Sequence, residues 1–264
     1  MRTGLLGFLC LSLVCLAHTQ ESNQPQPPRS PVSGPASDGG VREVLESIVI
    51  PPIPNAPFTA TLDTEWVRFS PEGGTFTLVN ERHIARDGRG RIYEERWALA
   101  PKIHTGPSPS KLTWIQIADP KLHTLYNCST DKHICDLLTY DPAKDLTAAE
   151  PRKAPSLGTL TRGPVTTEDL GTRNIAGIDT VGVRETSMIA VGAMGNDQPL
   201  SSVKEEWHSQ ELGINLLSLR SGPTFGKQTF TITELTASEP DPQLFQLPEG
   251  YKINDQRKNP PISW

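Results

Sequence analysis

The sequence predicts a mainly β protein made of long antiparallel strands, and three observations carry that prediction. Across residues 57–236 apolar and polar residues alternate in runs, the two-residue period that sends successive side chains to opposite faces of a strand. Breaks rich in Gly, Pro and Asp cut those runs at short intervals. Nothing between the breaks holds a helical period for long, and most connections are too short for the crossovers that parallel neighbours need.

Taken in order, residues 41–50 come first. Val41, Val44, Leu45, Ile48 and Val49 recur at helical spacing, and Pro51 and Pro52 then stop the pattern. One short amphipathic helix is expected there, packed on the sheet. The first strand is 58–69, with Phe58, Ala60, Leu62 and Trp66 on one face and Thr59, Thr61, Asp63 and Glu65 on the other. Turn chemistry at 70–74 and 86–90 separates it from strands at 75–85 and 91–99, which reads as a meander. Residues 101–110 form a loop, 112–119 a strand, and 122–138 a hairpin turning at 129–132. The stretch 141–164 is a long polar excursion for a compact domain. Strand character resumes at 170–189, where Gly171, Gly177 and Gly182 mark bends or bulges. Three strands follow at 203–209, 214–220 and 225–236, giving about ten in all. Pro240, Pro242 and Pro248 end the last of them, and Leu244, Phe245, Leu247 and Tyr251 are placed to plug an open sheet edge.

Residues 1–19 read as an export signal: Arg2 supplies the positive start, 5–17 the apolar run, and Ala17 or Thr19 the cleavage point. The run is short for a membrane span, and Leu9 and Val14 are too large to precede a lipidated Cys10 or Cys15. Residues 20–40, rich in Pro, Ser, Gly and Gln, form a disordered linker. The β domain covers 41–253, and 254–264 is a tail. No later segment is apolar enough to cross a bilayer, so a periplasmic or extracellular location is expected.

The chain carries 25 basic and 30 acidic residues; losing Arg2 with the signal takes the net charge from −5 to −6. The densest basic stretch, 82–96, also holds Asp87, Glu94 and Glu95 beside Glu81, and reads as the solvated face of a hairpin. Nucleic acid is therefore not an expected partner. Beyond the signal only Cys128 and Cys135 remain, on neighbouring strands of the 122–138 hairpin. In an oxidising compartment a disulfide is expected, with a local effect on the order of 2 kcal/mol. The alternative is a metal site from Cys128, Cys135, His133 and His123, whose spacing matches no common zinc pattern.

A resemblance covers roughly residues 57–253. Its elements are Glu168-Asp169-Leu170-Gly171-Thr172-Arg173-Asn174-Ile175-Ala176-Gly177-Ile178, then Glu205-Glu206-Trp207-His208-Ser209 and Leu216-Leu217-Ser218-Leu219-Arg220. Last comes the Pro242-Gln243-Leu244-Phe245-Gln246-Leu247-Pro248 clip. Together these resemble a family of exported bacterial proteins in which a meander lies beside a turn like Arg86-Asp87-Gly88, and a Pro-x-Leu-Phe-x-x-Pro clip closes the second half. More distantly, the plan is similar to the lipoprotein-carrier (outer-membrane lipoprotein sorting) and sigma-regulator half-barrels of the bacterial periplasm. That similarity implies an open half-barrel with one or two short helices and an apolar cavity fit for acyl chains or an apolar peptide; it is a statement about fold. The cysteine hairpin and the 141–164 excursion depart from the pattern.

Catalytic signatures are missing. There is no Gly-x-Ser-x-Gly elbow, no His-Glu-x-x-His and no phosphate-cradling glycine loop. Glu94 and Glu95, like Glu205 and Glu206, are strand neighbours that point to opposite faces and cannot share a substrate. His83, His104, His123, His133 and His208 are scattered. Trp66, Trp97, Trp114 and Trp207 lie on four different strands, where core packing is the ordinary role. The expected function is non-enzymatic binding, without cofactor or metal, of an apolar ligand such as a lipid or lipoprotein acyl chain on a concave sheet. Phe58, Leu62, Trp66, Trp97, Trp114 and Trp207 would form the wall, and burial would contribute roughly 0.8 kcal/mol per methylene. An envelope protein-interaction or sensor module is the alternative, and a hydrolase with noncontiguous residues the third reading.

Overall fold

Among the described residues, thirteen strands join in one open, curved sheet. The computed structural model describes residues 47–70, 72–103, 105–106, 108–143 and 162–257. The expected signal, linker, first part of the 41–50 helix, most of the 141–164 excursion and the end of the tail lie outside them. Residues 47–50 have no helical structure.

The strands are β1 (Phe58–Phe69), β2 (Thr75–Arg86), β3 (Ile92–Trp97), β4 (Ala100–Pro101), β5 (Leu112–Asp119), β6 (Thr124–Ser129) and β7 (Ile134–Thr139). They continue with β8 (Arg162–Ile175), β9 (Ile178–Ile189), β10 (Leu200–Ser209), β11 (Ile214–Gly222), β12 (Gly226–Thr236) and β13 (Lys252–Asp255). Their order is β13-β7-β6-β5-β3-β2-β1-β12-β11-β10-β9-β8, with β4 beside β2. Two meanders, β1–β7 and β8–β12, are thus fused where β1 pairs with β12, Leu62 opposite Ile232 and Thr64 opposite Phe230.

Three strands exceed the count expected from sequence. Residues 170–189 belong to two strands, because Ala176 and Gly177, both at positive φ, turn the chain. β4 has only two residues. β13 runs parallel to β7, Ile253 opposite Cys135, so the sheet is not wholly antiparallel. This last strand also corrects the role of the clip. Phe245, in a short 3-10 helix at Pro242–Phe245, packs on a face of the sheet with Ala85, Tyr93 and Ile117; β13 covers the edge. Cys128 and Cys135 are direct cross-strand partners, both buried, and are joined by a disulfide.

The main core lies on the face that carries Phe58, Ala60 and Leu62. Phe230, Ile232, Leu216, Ile214, Ile84 and Trp207 extend it across neighbouring strands, and Ile48 and Ile50 from the segment before β1 join the same cluster. A fully buried side chain of this size contributes roughly 1.5–3 kcal/mol, so these positions dominate stability.

One end of the sheet is tied shut. Arg86 is completely buried. It donates through Nε and Nη2 to the Ala56 carbonyl (2.9 and 2.8 Å), through Nη1 to Pro51 (2.8 Å) and through Nη2 to Leu212 (2.5 Å). Its guanidinium lies 5.1 Å from the Phe58 ring, and burial pulls its pKa down to about 10. Asp87, buried beside it, accepts from the Arg89 and Arg91 amides and from Arg91 Nε at 2.6 Å. Gly90 follows at φ +84°, where a Cβ would stand 2.8 Å from the Pro52 carbonyl oxygen. The 82–96 stretch is therefore not simply a solvated face. Arg82, Arg86 and Asp87 are interior: carbonyls of Pro51, Ala56 and Leu212 meet Arg86, the Ser47 hydroxyl meets Arg82, and Asp87 accepts from Arg89 and Arg91.

Candidate binding cleft

On the face opposite the main core, a cleft of ≈ 800 Å³ lies over β1, β2 and β12. This size falls within the range of small-molecule sites. Strand alternation sets its floor: Asp63 faces Glu81 on β2 and Thr231 on β12, while Glu65 faces Val79 and Thr229. Trp97, at the end of β3, and Ser108 and Ser110 from the following loop complete the wall, with His83 and Lys227 at its margins.

Fixed contacts hold this wall. Glu95 accepts from Trp97 Nε1 (2.7 Å) and from the Tyr93 hydroxyl (2.9 Å), so one carboxylate orients both rings. Burial, then the charge of Glu95 and the hydrogen bond to it, push the Tyr93 phenol well above the ordinary range. Asn80 Nδ2 donates to the Trp97 carbonyl at 2.7 Å. Lys102 Nζ meets Glu65 at 2.5 Å, and Thr233 donates to Asp63 at 3.2 Å. Asp63 and Glu81 are like charges directly opposite each other, an unfavourable cross-strand pair. A bound cation or strong donor would relieve it.

Beside the cleft, β12 bulges against Thr59 and Thr61, and Glu234 sits at φ +47°. Bulges re-aim side chains, and here the Glu234 carboxylate accepts from the Thr61 hydroxyl at 3.0 Å. His83 Nδ1 lies 3.5 Å from that hydroxyl, whose proton is directed to Glu234. The Ser110 hydroxyl donates to the Ala98 carbonyl. The Ser110 hydroxyl is thus directed to a carbonyl and not to a base, whereas the Thr61 hydroxyl is buried and directed to a carboxylate. Among the described residues, no group of His, Cys, Asp and Glu converges as a metal-ligand set.

The six side chains expected as a wall do not come together. Phe58, Leu62 and Trp207 belong to the packed core, 0%, 1% and 7% exposed. Trp207 lies flat on Gly182, where a Cβ would stand 2.7 Å from its ring, and its Nε1 donates to Glu205 at 2.8 Å. Trp66 is buried and donates to the Phe225 carbonyl at 2.6 Å. Trp114 is half-buried, opposite Arg96 and Ser129. Trp97 alone of the six lines the cleft. Asp63, Glu65, Glu81 and Thr231 were not expected as site residues. Their signal was the polar face of the alternation, which looks the same whether it meets solvent or a ligand.

No protein-family model and no curated protein matches the chain. Among solved structures the chain is similar to MucB in the complex of Pseudomonas aeruginosa MucA and MucB, at 14% identity and TM-score 0.35; the match covers 75% of this chain and 58% of that one. It is also similar to the lipoprotein LppX of Mycobacterium tuberculosis (11% identity, 70% of this chain and 88% of that one, TM-score 0.29). A LolA superfamily protein of Nitrosomonas europaea matches at 9% identity over 74% of this chain and 91% of that one, with TM-score 0.31. The chain spans less than three-fifths of the MucB length. Each is a distant likeness of fold.

Proposed function

We infer that the protein is an exported, non-enzymatic binding protein that holds a small amphipathic molecule in the cleft over β1, β2 and β12. The observation that carries this reading is a pre-oriented Trp97 beside a floor of threonines and the directly opposed carboxylates of Asp63 and Glu81. The apolar part of the ligand lies against Trp97 and Val79, and a cationic or donor-rich part faces Asp63 and Glu81. A lipid chain bearing an amine satisfies both halves. A bare acyl chain against Phe58, Leu62 and Trp207 fits less well, since those side chains already bury their surface in one another. Export rests on the signal read in residues 1–19.

The test compares a long-chain alkylamine with the fatty acid of equal length, read by tryptophan fluorescence. The amine is expected to bind at least about tenfold more tightly, a difference of about 1.4 kcal/mol, and Trp97→Leu should remove the optical change. Equal binding of the two probes would discard the carboxylate half of the reading. Binding of neither at about tens of micromolar would discard the whole.

A further inference from the structure

The end of the sheet opposite Arg86 is formed by the β1–β2, β11–β12 and β9–β10 turns. Strand pairing sets them side by side: Val67 is opposite Lys227, Gly222 opposite Gly226, Val203 opposite Ser221, and Leu200 opposite Ile189. Five large apolar side chains stand out from this end: Phe69 (66% exposed), Phe76 (47%), Ile103 (44%), Val191 (58%) and Met194 (50%). Ile103 joins them because the Lys102 amide donates to the Thr77 carbonyl. From β2 to β9 the row crosses six strands, about 24 Å at the usual strand spacing.

Cations lie among these tips. The Arg68 guanidinium sits 5.0 Å over the Trp66 ring and 5.6 Å over Phe76, and Arg220 sits 5.7 Å over Phe225. Lys227 is on the adjoining rung. These basic and aromatic groups stand on a chain of net charge −5, and Glu72 and Asp197 are the acidic residues of the β1–β2 and β9–β10 turns. Exposed apolar groups gathered in one place mark an interaction surface. A specific protein partner needs a continuous patch of roughly 800 Å² per side. Here the apolar groups are tips in a single row, separated by Gly73, Gly74, Gly192 and Gly195. A bilayer has no such requirement: its interfacial zone takes isolated aromatic and aliphatic tips while arginines meet phosphates.

We propose that this end of the sheet docks on a phospholipid bilayer carrying anionic headgroups. The β1–β2 and β9–β10 turns place their apolar tips at the boundary of headgroup and acyl chain, and Arg68 and Arg220 lie at the phosphates. Docking is independent of the ligand reading: Trp97→Leu is expected to leave it unchanged.

The experiment is hydrogen–deuterium exchange on the full chain with vesicles of phosphatidylcholine and phosphatidylglycerol, with pure phosphatidylcholine as the neutral control. Site resolution matters, because an N-terminal apolar segment that bound vesicles would not protect these turns. Amides of 67–77 and 188–200 are expected to be protected by the anionic vesicles and less by the neutral ones, while 210–214 stays unchanged. Phe69→Ser with Phe76→Ser, and separately Val191→Ser with Met194→Ser, should each weaken partitioning about tenfold or more. Two variants in different turns guard against the failure of either to fold. Three results overturn the proposal: no protection of the turns, equal protection of 210–214, or protection that appears without vesicles as protein concentration rises. The last would assign the row to a second copy of the chain.

Discussion

The two ends of the sheet solve opposite problems with similar residue types. At one, Arg86 and Asp87 are buried and every hydrogen bond named for them is to backbone or to a neighbouring arginine. At the other, half-buried Arg68 and Arg220 lie over the rings of Trp66 and Phe225, and Phe69 and Phe76 stand out into solvent. The closed end does contain exposed apolar groups, Leu122 above all, but not in a row along adjacent turns. A charge sequestered by carbonyls is structural, whereas the apolar tips of Phe69 and Phe76 leave their surface in water.

The sharpest break of that comparison is Arg86→Ala. It removes a charged donor from the carbonyls of Pro51, Ala56 and Leu212, and should cost about 3–5 kcal/mol. Urea unfolding measures it; a loss below about 1 kcal/mol would mean that solvent replaces the guanidinium freely. A smaller effect comes from Tyr93, one rung away opposite Ala85. Its pKa is raised by burial first and then by Glu95, so the neutral phenol is the form the fold prefers. Stability from this group is complete below the ordinary tyrosine pKa of about 10 and declines as pH climbs above it. Unfolding midpoints across that range should fall, and Tyr93→Phe should flatten the slope. At the open end, Phe69→Ser is expected to change stability by no more than about 0.5 kcal/mol in the same urea assay. A larger loss would show that this ring packs and is no free contact surface.

Much of the plan was legible because strand period and turn chemistry are local. The long strands at 58–69 and 75–86, the cysteine hairpin, and the opposite orientations of Glu94 and Glu95 follow from neighbours in sequence. What escaped notice depends on distant residues. Arg86 reads as a surface charge until the carbonyls at 51, 56 and 212 are brought to it. β13 has four exposed residues and no apolar alternation, so only its pairing with β7 makes it a strand. For the site, residue type alone gave six aromatic and aliphatic candidates, yet packing consumed Phe58, Leu62 and Trp207 and left Trp97 at the cleft. Gly182, expected at a bend or bulge, does stand opposite the Asp169–Gly171 irregularity, but it is also the bare patch on which Trp207 rests, which its neighbours in sequence do not show.

The seam between β1 and β12 has a temporal meaning. Thr61 bonds a residue 173 positions further along, and Leu62 has its partner Ile232 at a like distance. During synthesis the first meander leaves the ribosome with its oily side bare and stays so until the last long strand is made. Contacts this remote form slowly. The centre of the sheet therefore cannot set before the end of the chain has arrived.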